Sequence, residues 1–161
     1  MAKEKKFDKA FGYALRLLKI RQRSEKELKD KFRLKKFPQE ISDEVIKRLK
    51  QEGLVNDASF AQAWVNTKML LRPSGPIRLR YELRQKGITP QIIEDVLEGL
   101  KEKYDLEKEA LELVKRKLAS SKVKDKLKVR RRLHDYLKRR GFSSEVIFSC
   151  LQEIFKDFES E

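Results

Sequence analysis

Apolar residues recur along the chain in short helical stripes separated by turn residues, and one stretch shows a whole unit. Within Ser74 to Leu100, SGPIRLRYELRQKGITPQIIEDVLEGL, Leu79 and Leu83 stand four apart with Pro76 and Arg80 beside them, the spacing of one helix face. Ser74 is placed to cap this helix, with Gly75 and Pro76 in its first turn, where the missing proline N–H costs least. Gly87 is placed to close it in the left-handed conformation. Thr89-Pro90 then caps and opens a second helix, apolar at Ile92, Ile93, Val96, Leu97 and Leu100.

The same unit occurs three times. A shift of 51 residues back puts Leu79, Leu83, Ile88, Ile92, Val96 and Leu100 on Leu28, Phe32, Phe37, Ile41, Val45 and Leu49. A shift of 54 forward puts them on Leu133, Leu137, Phe142, Val146, Cys150 and Ile154. Six apolar columns interrupted by a turn make an internal repeat rather than coincident helical patterning.

Each copy needs a preceding helix, and the chain supplies one. Phe11, Ala14, Leu15 and Leu18 form a stripe between about Phe7 and Ile20, after which Ser24 and Glu27 make a capping box. The third helix is expected from near Pro38 to Gly53. Asn56 or Asp57 should cap the next helix, carrying Phe60, Ala61, Trp64 and Val65, and Asp105 should open the last unit with Leu106, Ala110, Leu113, Val114 and Leu118. The expected fold is all-α: three three-helix repeats over residues 1–56, 57–104 and 105–161. Ser120-Ser121 breaks the pattern, and the polar run from Lys122 to Lys128 is the connection expected to be mobile.

Charge changes the picture more than composition does. The chain has a net charge of +14 with 41% charged residues, and the sign is sorted by position. Arg16 to Lys36 holds ten Lys or Arg against three acids, Arg72 to Lys86 five against one, and Lys115 to Arg140 thirteen against two. The third helices reverse this: Glu40 to Glu52 has four acids against three bases, Gln91 to Glu102 four against one, and Ser143 to Glu161 five against one. A basic face on the middle helices is therefore expected, suited to polyanions through counterion release and needing no base-specific contact. Its candidate residues are Arg21, Arg23, Lys26, Arg33, Arg72, Arg78, Arg84, Lys115, Arg130, Arg131, Arg132 and Arg139. The competing reading is a charged surface serving solubility alone.

Other chemistry is sparse. The single cysteine excludes an internal disulfide and a Cys-based zinc site, and Cys150, in a core column, reads as a buried thiol. His134 has no second His or Cys for a common metal site, and Trp64 lies on a stripe that favours core over base stacking. No phosphate-cradling glycine motif is present, so neither an active site nor a cofactor is expected. With no apolar run of membrane-spanning length and no signal-peptide core in MAKEKKFDKA, a cytoplasmic protein is expected. Its expected state is a monomer, which none of these features sets.

GPIRLRYELRQKGI, from Gly75 to Ile88, is similar to the signature of the RecX family, bacterial regulators of the RecA recombinase. RQRSEKEL, from Arg21 to Leu28, resembles that family's first-repeat motif, and GLVNDASFAQAWV its linker motif; the resemblance covers almost the whole chain in order. It implies three tandem three-helix repeats in an elongated, curved molecule that binds the RecA filament and DNA, single- or double-stranded. It further implies restraint of the recombinase's ATPase, strand exchange and filament growth, in recombination, repair and the SOS response. The alternative is a basic helical repeat protein that binds DNA or RNA without a recombinase partner. Two departures stand out. Lys36 occupies the column of Gly87 and Gly141, so the first turn is expected to close differently, and Asn66-Thr67-Lys68 is less basic than the family's usual stretch after its aromatic.

Overall fold

The computed structural model describes residues 1–121 and 125–156. Among these residues the chain forms nine helices and no strand: α1 (Ala2–Ile20), α2 (Glu25–Leu34), α3 (Gln39–Gln51), α4 (Asp57–Leu71), α5 (Pro76–Gln85), α6 (Pro90–Lys103), α7 (Leu106–Ala119), α8 (Lys126–Arg139) and α9 (Ser144–Lys156). Part of the polar connection expected to be mobile, residues 122–124, lies outside the described residues. From Asp125 onward that connection is helix start, with the Asp125 carboxylate accepting from Lys128 N at 3.1 Å.

Close contacts divide the chain into two compact units, Met1–Ala63 with Leu83–Ile93, and Trp64–Glu82 with Glu94–Glu161. In the first, α1, α2 and α3 enclose Ala10, Ala14, Leu28, Phe32, Ile41, Val45, Ile46, Leu49 and Val55. Tyr13, Phe32 and Phe37 gather at one end, Phe32 meeting Phe37 edge to face at 5.9 Å. In the second, α7, α8 and α9 enclose Ala110, Leu113, Val114, Leu133, Leu137, Phe142, Ile147, Cys150, Leu151 and Ile154. Burying each large apolar side chain contributes about 1.5–3 kcal/mol, which is why these columns carry the fold.

Some positions depart from the expected pattern. Leu15 is exposed and α1 buries Ala10 and Ala14 instead, small residues on the face toward α3. The third-helix column that is buried at Ile41 is only half-buried in the other two copies, at Ile92 and Val146, whose successors Ile93 and Ile147 are buried. The equivalent in the first copy is Ser42, buried with its hydroxyl donating to Pro38 O at 3.1 Å. A serine satisfied by its own helix can occupy a core column, and polarity hid it. Ser74 does not cap α5. That helix begins at Pro76, with Gly75 O accepting from Leu79 N at 3.2 Å, and the buried Ser74 hydroxyl is bound elsewhere. Asn56 rather than Asp57 caps α4, its side chain accepting from Ser59 N at 2.9 Å. The Asp57 carboxylate accepts from Glu25 N at 2.9 Å.

All three middle helices end in one motif. Lys36 N donates to Arg33 O at 2.9 Å and Phe37 N to Phe32 O at 3.1 Å; Gly87 N donates to Arg84 O at 2.9 Å and Ile88 N to Leu83 O at 3.1 Å; Gly141 N donates to Lys138 O at 3.0 Å and Phe142 N to Leu137 O at 3.2 Å. These are Schellman closures. Contrary to the expectation for the first copy, Lys36 adopts the same left-handed conformation, φ 57°, beside 77° at Gly87 and 83° at Gly141.

The turns differ in what lies against them. Within the first unit, the start of α2 sits on the turn after α5: Ser24 Oγ donates to Lys86 O at 2.7 Å, and a Cβ on Gly87 would lie 2.5 Å from Lys26 Cβ. Within the second, the start of α5 sits on the turn after α8: Gly75 N donates to Arg140 O at 2.8 Å, Ile77 N to Gly141 O at 3.1 Å, and a Cβ on Gly141 would lie 2.3 Å from Arg78 N. The repeat shifts that relate Leu28 to Leu79 and Leu83 to Leu137 also relate Ser24 to Gly75 and Lys86 to Arg140. The contact is one contact made twice. Gly87 and Gly141 thus need glycine for a positive φ and for close approach, whereas Lys36 is exposed and meets only the first requirement.

Candidate functional site

Of the candidate cations in the first unit, Arg21, Arg23 and Lys26 are brought together around one hollow, which Lys31 and Lys86 and the acids Glu27 and Asp30 also line. The capping box at Ser24 explains this placement. Ser24 Oγ accepts from Glu27 N at 3.2 Å, and the Glu27 carboxylate, held near the helix start, accepts from Ser24 N at 3.3 Å. Arg21 then grips Glu27 with both terminal nitrogens at 3.0 Å, and Lys86 Nζ reaches it at 2.6 Å. Burial pushes the Glu27 carboxyl up, but the hydrogen bonds from Arg21 and Lys86 outweigh it and bring it down to about 2. Arg21 is thus half of an ion pair. Lys26 donates to Gln85 O at 3.0 Å, Arg33 pairs with Asp30 at 3.0 Å, and Arg23 Nε points at Leu17 O at 3.5 Å. Arg84 is exposed and has no ion pair among the described residues.

In the second unit, Arg78 and Arg139 share a shallow hollow with Lys138, Ile77 and Tyr81. Arg78 Nε pairs with Glu82 at 2.9 Å, and its Nη1 donates to Arg139 O at 3.2 Å. Glu82 also accepts from Trp64 Nε1 at 3.1 Å and pairs with Lys68 at 3.1 Å. Trp64 is accordingly a half-buried member of a polar cluster, with Lys68 Nζ 5.0 Å from its ring centre. Arg78 and Arg84, on the same helix, fall in different units.

On α8, Arg130 and Arg131 line a hollow with Leu127, His134 and Phe148, whereas Arg132 lines a different one with Lys117 and Ser120. None of the three arginines has an ion pair among the described residues; Arg130 lies 5.8 Å from the Phe155 ring centre. Arg72 is likewise unpaired in its side chain, and Lys115 stands 3.8 Å from Glu112. His134 is exposed and faces Asp135 at 3.2 Å. Cys150 is buried, and burial, with Glu153 and Glu107 adding, raises its thiol to about 11.

Sequence reasoning counted Arg140 among the basic surface, but it is buried structure. Its guanidinium donates to the carbonyls of Arg72 and Pro73 and to Ser74 Oγ, with no carboxylate partner among the described residues, and burial followed by the charges of Arg72 and Arg78 holds its pKa below the ordinary arginine value. Nothing local in the sequence signals this, since its partners lie more than sixty residues away. Lys138 and Tyr81, which line the hollow with Arg78 and Arg139, were not among the candidates read from the sequence. Lys138 adjoins Arg139, and Tyr81 is an aromatic lying off the Leu79–Leu83 stripe, a signal that was available.

The fold defines an all-helical protein built from one three-helix unit used three times. Family models describe the same three units: the first three-helix domain of RecX matches residues 10–49, the second 56–97 and the third 105–151. The regulatory protein RecX of Chlorobium phaeobacteroides strain BS1 is 39% identical over 92% of this chain and 95% of its own. That of Prosthecochloris aestuarii is 35% identical over 91% of this chain and 93% of its own. The crystal structure of RecX from Lactobacillus salivarius superposes with a TM-score of 0.79 at 25% identity, covering 93% of this chain and 97% of that one. The chain belongs to the RecX family, whose members are regulators rather than enzymes.

Proposed function

We propose that this protein is a negative regulator of the RecA recombinase, binding the recombinase–DNA filament and restraining its ATP hydrolysis, strand exchange and growth during recombination, repair and the SOS response. The observation that carries the reading is the match of all three family domains in order along the chain. The cations without carboxylate partners among the described residues, Arg72, Arg84 and Arg130 to Arg132, support a phosphate-facing role, to which Arg23, Lys115 and Arg139 are assigned as well. Arg21, Lys26, Arg33 and Arg78 serve first as structure, and contribute to binding by holding the helix ends that display the others. The protein acts in this reading as a cytoplasmic monomer, with repeats at residues 1–56, 57–104 and 105–161 as its working divisions. Among the described residues no helix is long and apolar enough to cross a membrane.

The test is single-strand-dependent ATP hydrolysis by the cognate recombinase with increasing amounts of this protein. Inhibition well below one protein per recombinase subunit is expected. Full hydrolysis at equimolar protein rejects the regulator reading. Equal affinity for filament and for naked DNA would instead support a general nucleic-acid binder.

A further inference from the structure

Leu79 and Leu83 of α5 are buried, but the helix's other two large apolar side chains, on one face, are not: Ile77 is 57% exposed and Tyr81 63% exposed. They stand four residues apart and so lie one turn from each other along the same side of the helix. Both border the hollow that also holds Lys138, Arg139 and Gly141. The geometry there is rigid. Ile77 N is bound to Gly141 O at 3.1 Å, and Arg78 is held between Glu82 and Arg139 O, so the exposed face cannot rotate away from the end of α8. The one carboxylate at the rim, Glu82, is spent on Arg78, Lys68 and Trp64. Lys138 and Arg139 keep side chains with no carboxylate partner among the described residues.

An exposed aromatic ring with an aliphatic neighbour and two unpaired cations is the chemistry of a stacking platform for an unpaired base, the ring taking the base and the cations the flanking phosphates. A duplex keeps its base faces covered and can use only the cations. We propose that Tyr81, with Ile77 beside it and Lys138 and Arg139 at its edge, forms a subsite for single-stranded nucleic acid that gives the protein preference for single strands over duplex. This deepens the DNA-binding half of the regulator reading and rests on it. An aromatic patch meeting a protein surface is the other occupant, and the test separates the two.

The experiment measures binding of the full chain, without recombinase, to a fluorescent oligothymidylate and to a duplex of equal length, by anisotropy at two salt concentrations. Tyr81→Ala should weaken oligothymidylate binding roughly five- to a hundredfold, the range for loss of one base–aromatic stack, and leave duplex binding within about twofold. Tyr81→Phe, which keeps the ring, should bind as the parent does. Lys138→Gln with Arg139→Gln should reduce affinity for both ligands and flatten the salt dependence. Circular dichroism checks that each variant remains folded. The proposal is overturned if the parent shows no single-strand binding, if Tyr81→Ala matches the parent, or if it loses both ligands equally. Loss of filament binding alone, with oligothymidylate binding intact, assigns the face to protein and also overturns it. In each of these cases inhibition of recombinase ATP hydrolysis is measured separately, so the regulator reading stands or falls on its own result.

Discussion

Gly75 and Gly141 meet backbone to backbone: a Cβ on Gly75 would lie 2.1 Å from the carbonyl oxygen of Gly141. Neither side of that contact is a flexible side-chain end, so a methyl group there must separate α5 from the end of α8. Gly75→Ala is expected to cost at least about 2 kcal/mol, as overpacking against immobile atoms does. Gly99→Ala is the contrast, since a Cβ at that helical glycine meets nothing within 4 Å. It should stabilise by up to about 1 kcal/mol through helix propensity. Urea unfolding of both variants reads the difference, and similar midpoints would show that the 75–141 approach relaxes freely.

Arg140 should behave as a structural residue despite its charge. Arg140→Met removes the donors that satisfy the Arg72 and Pro73 carbonyls and the Ser74 hydroxyl in a buried site, at an expected cost of about 2–4 kcal/mol. Arg140→Lys keeps the charge but not the planar fork and should recover only part of it. Thermal melts of the two variants decide this; a Lys variant as stable as the parent would mean that charge alone is needed.

Lys36 offers a stabilising substitution. A left-handed conformation costs a residue with a side chain about 1–2 kcal/mol, partly offset because glycine is freer in the unfolded chain. Lys36→Gly should therefore raise stability by up to about 1 kcal/mol. Gly53→Ala, at φ 70° with nothing within 4 Å of its Cβ, should lower it by a similar amount. Equilibrium unfolding measures both, and opposite signs are the expected result.

Glu27 sets a pH dependence. Its carboxyl falls from the ordinary 4.5 to about 2 in the folded chain, so the stability it contributes is present above pH 4.5 and is lost as pH falls toward 2. The contribution is at most about 3 kcal/mol, at 1.36 kcal/mol per pH unit. Glu27→Gln should be less stable than the parent at pH 7, with the difference shrinking toward pH 2. Glu25 and Glu82, whose hydrogen-bonded carboxyls also lie below the ordinary value, leave a residual acid sensitivity in both proteins. A gap that stays constant from pH 7 to pH 2 would show that Glu27 acts through shape alone.

Much of this architecture is written locally. The repeated columns other than that of Ile92 and Val146, the Ser24 box, the stops at Gly87 and Gly141 and the opening of the last unit at Asp105 each depend on neighbours within a few residues, and each was legible from spacing. Ser42 escaped because its hydroxyl is satisfied within its own helix, and Ser74 misled because its partner is Arg140 rather than the helix it precedes. The basic face was legible as a count but not as a surface. Which cations are consumed by Glu27, Asp30 and Glu82 depends on long-range pairings such as Lys86 with Glu27, and these leave no periodic trace.

The reversal that tests the phosphate-facing assignment therefore avoids the paired residues. Arg84→Glu, Arg131→Glu and Arg132→Glu together should weaken DNA and filament binding at least tenfold while leaving the melting temperature nearly unchanged, because exposed unpaired charges contribute little to stability. Glu44→Lys, Asp95→Lys and Glu153→Lys on the third helices should not weaken it. Comparable losses from both triples would move the binding surface to the third helices.

The chain's single cysteine, Cys150, lies in the core of the last bundle with its thiol raised to about 11. At neutral pH almost none of it is thiolate, and the nucleophile is shielded besides. A cysteine introduced at any exposed position would ionise and react far sooner, so dyes or spin labels can be attached site by site to the natural sequence without first removing Cys150. The same shielding turns the native thiol into a clock. Its alkylation rate in unlabelled protein counts openings of the α7–α9 bundle, and a bound partner that clamps this bundle will slow it.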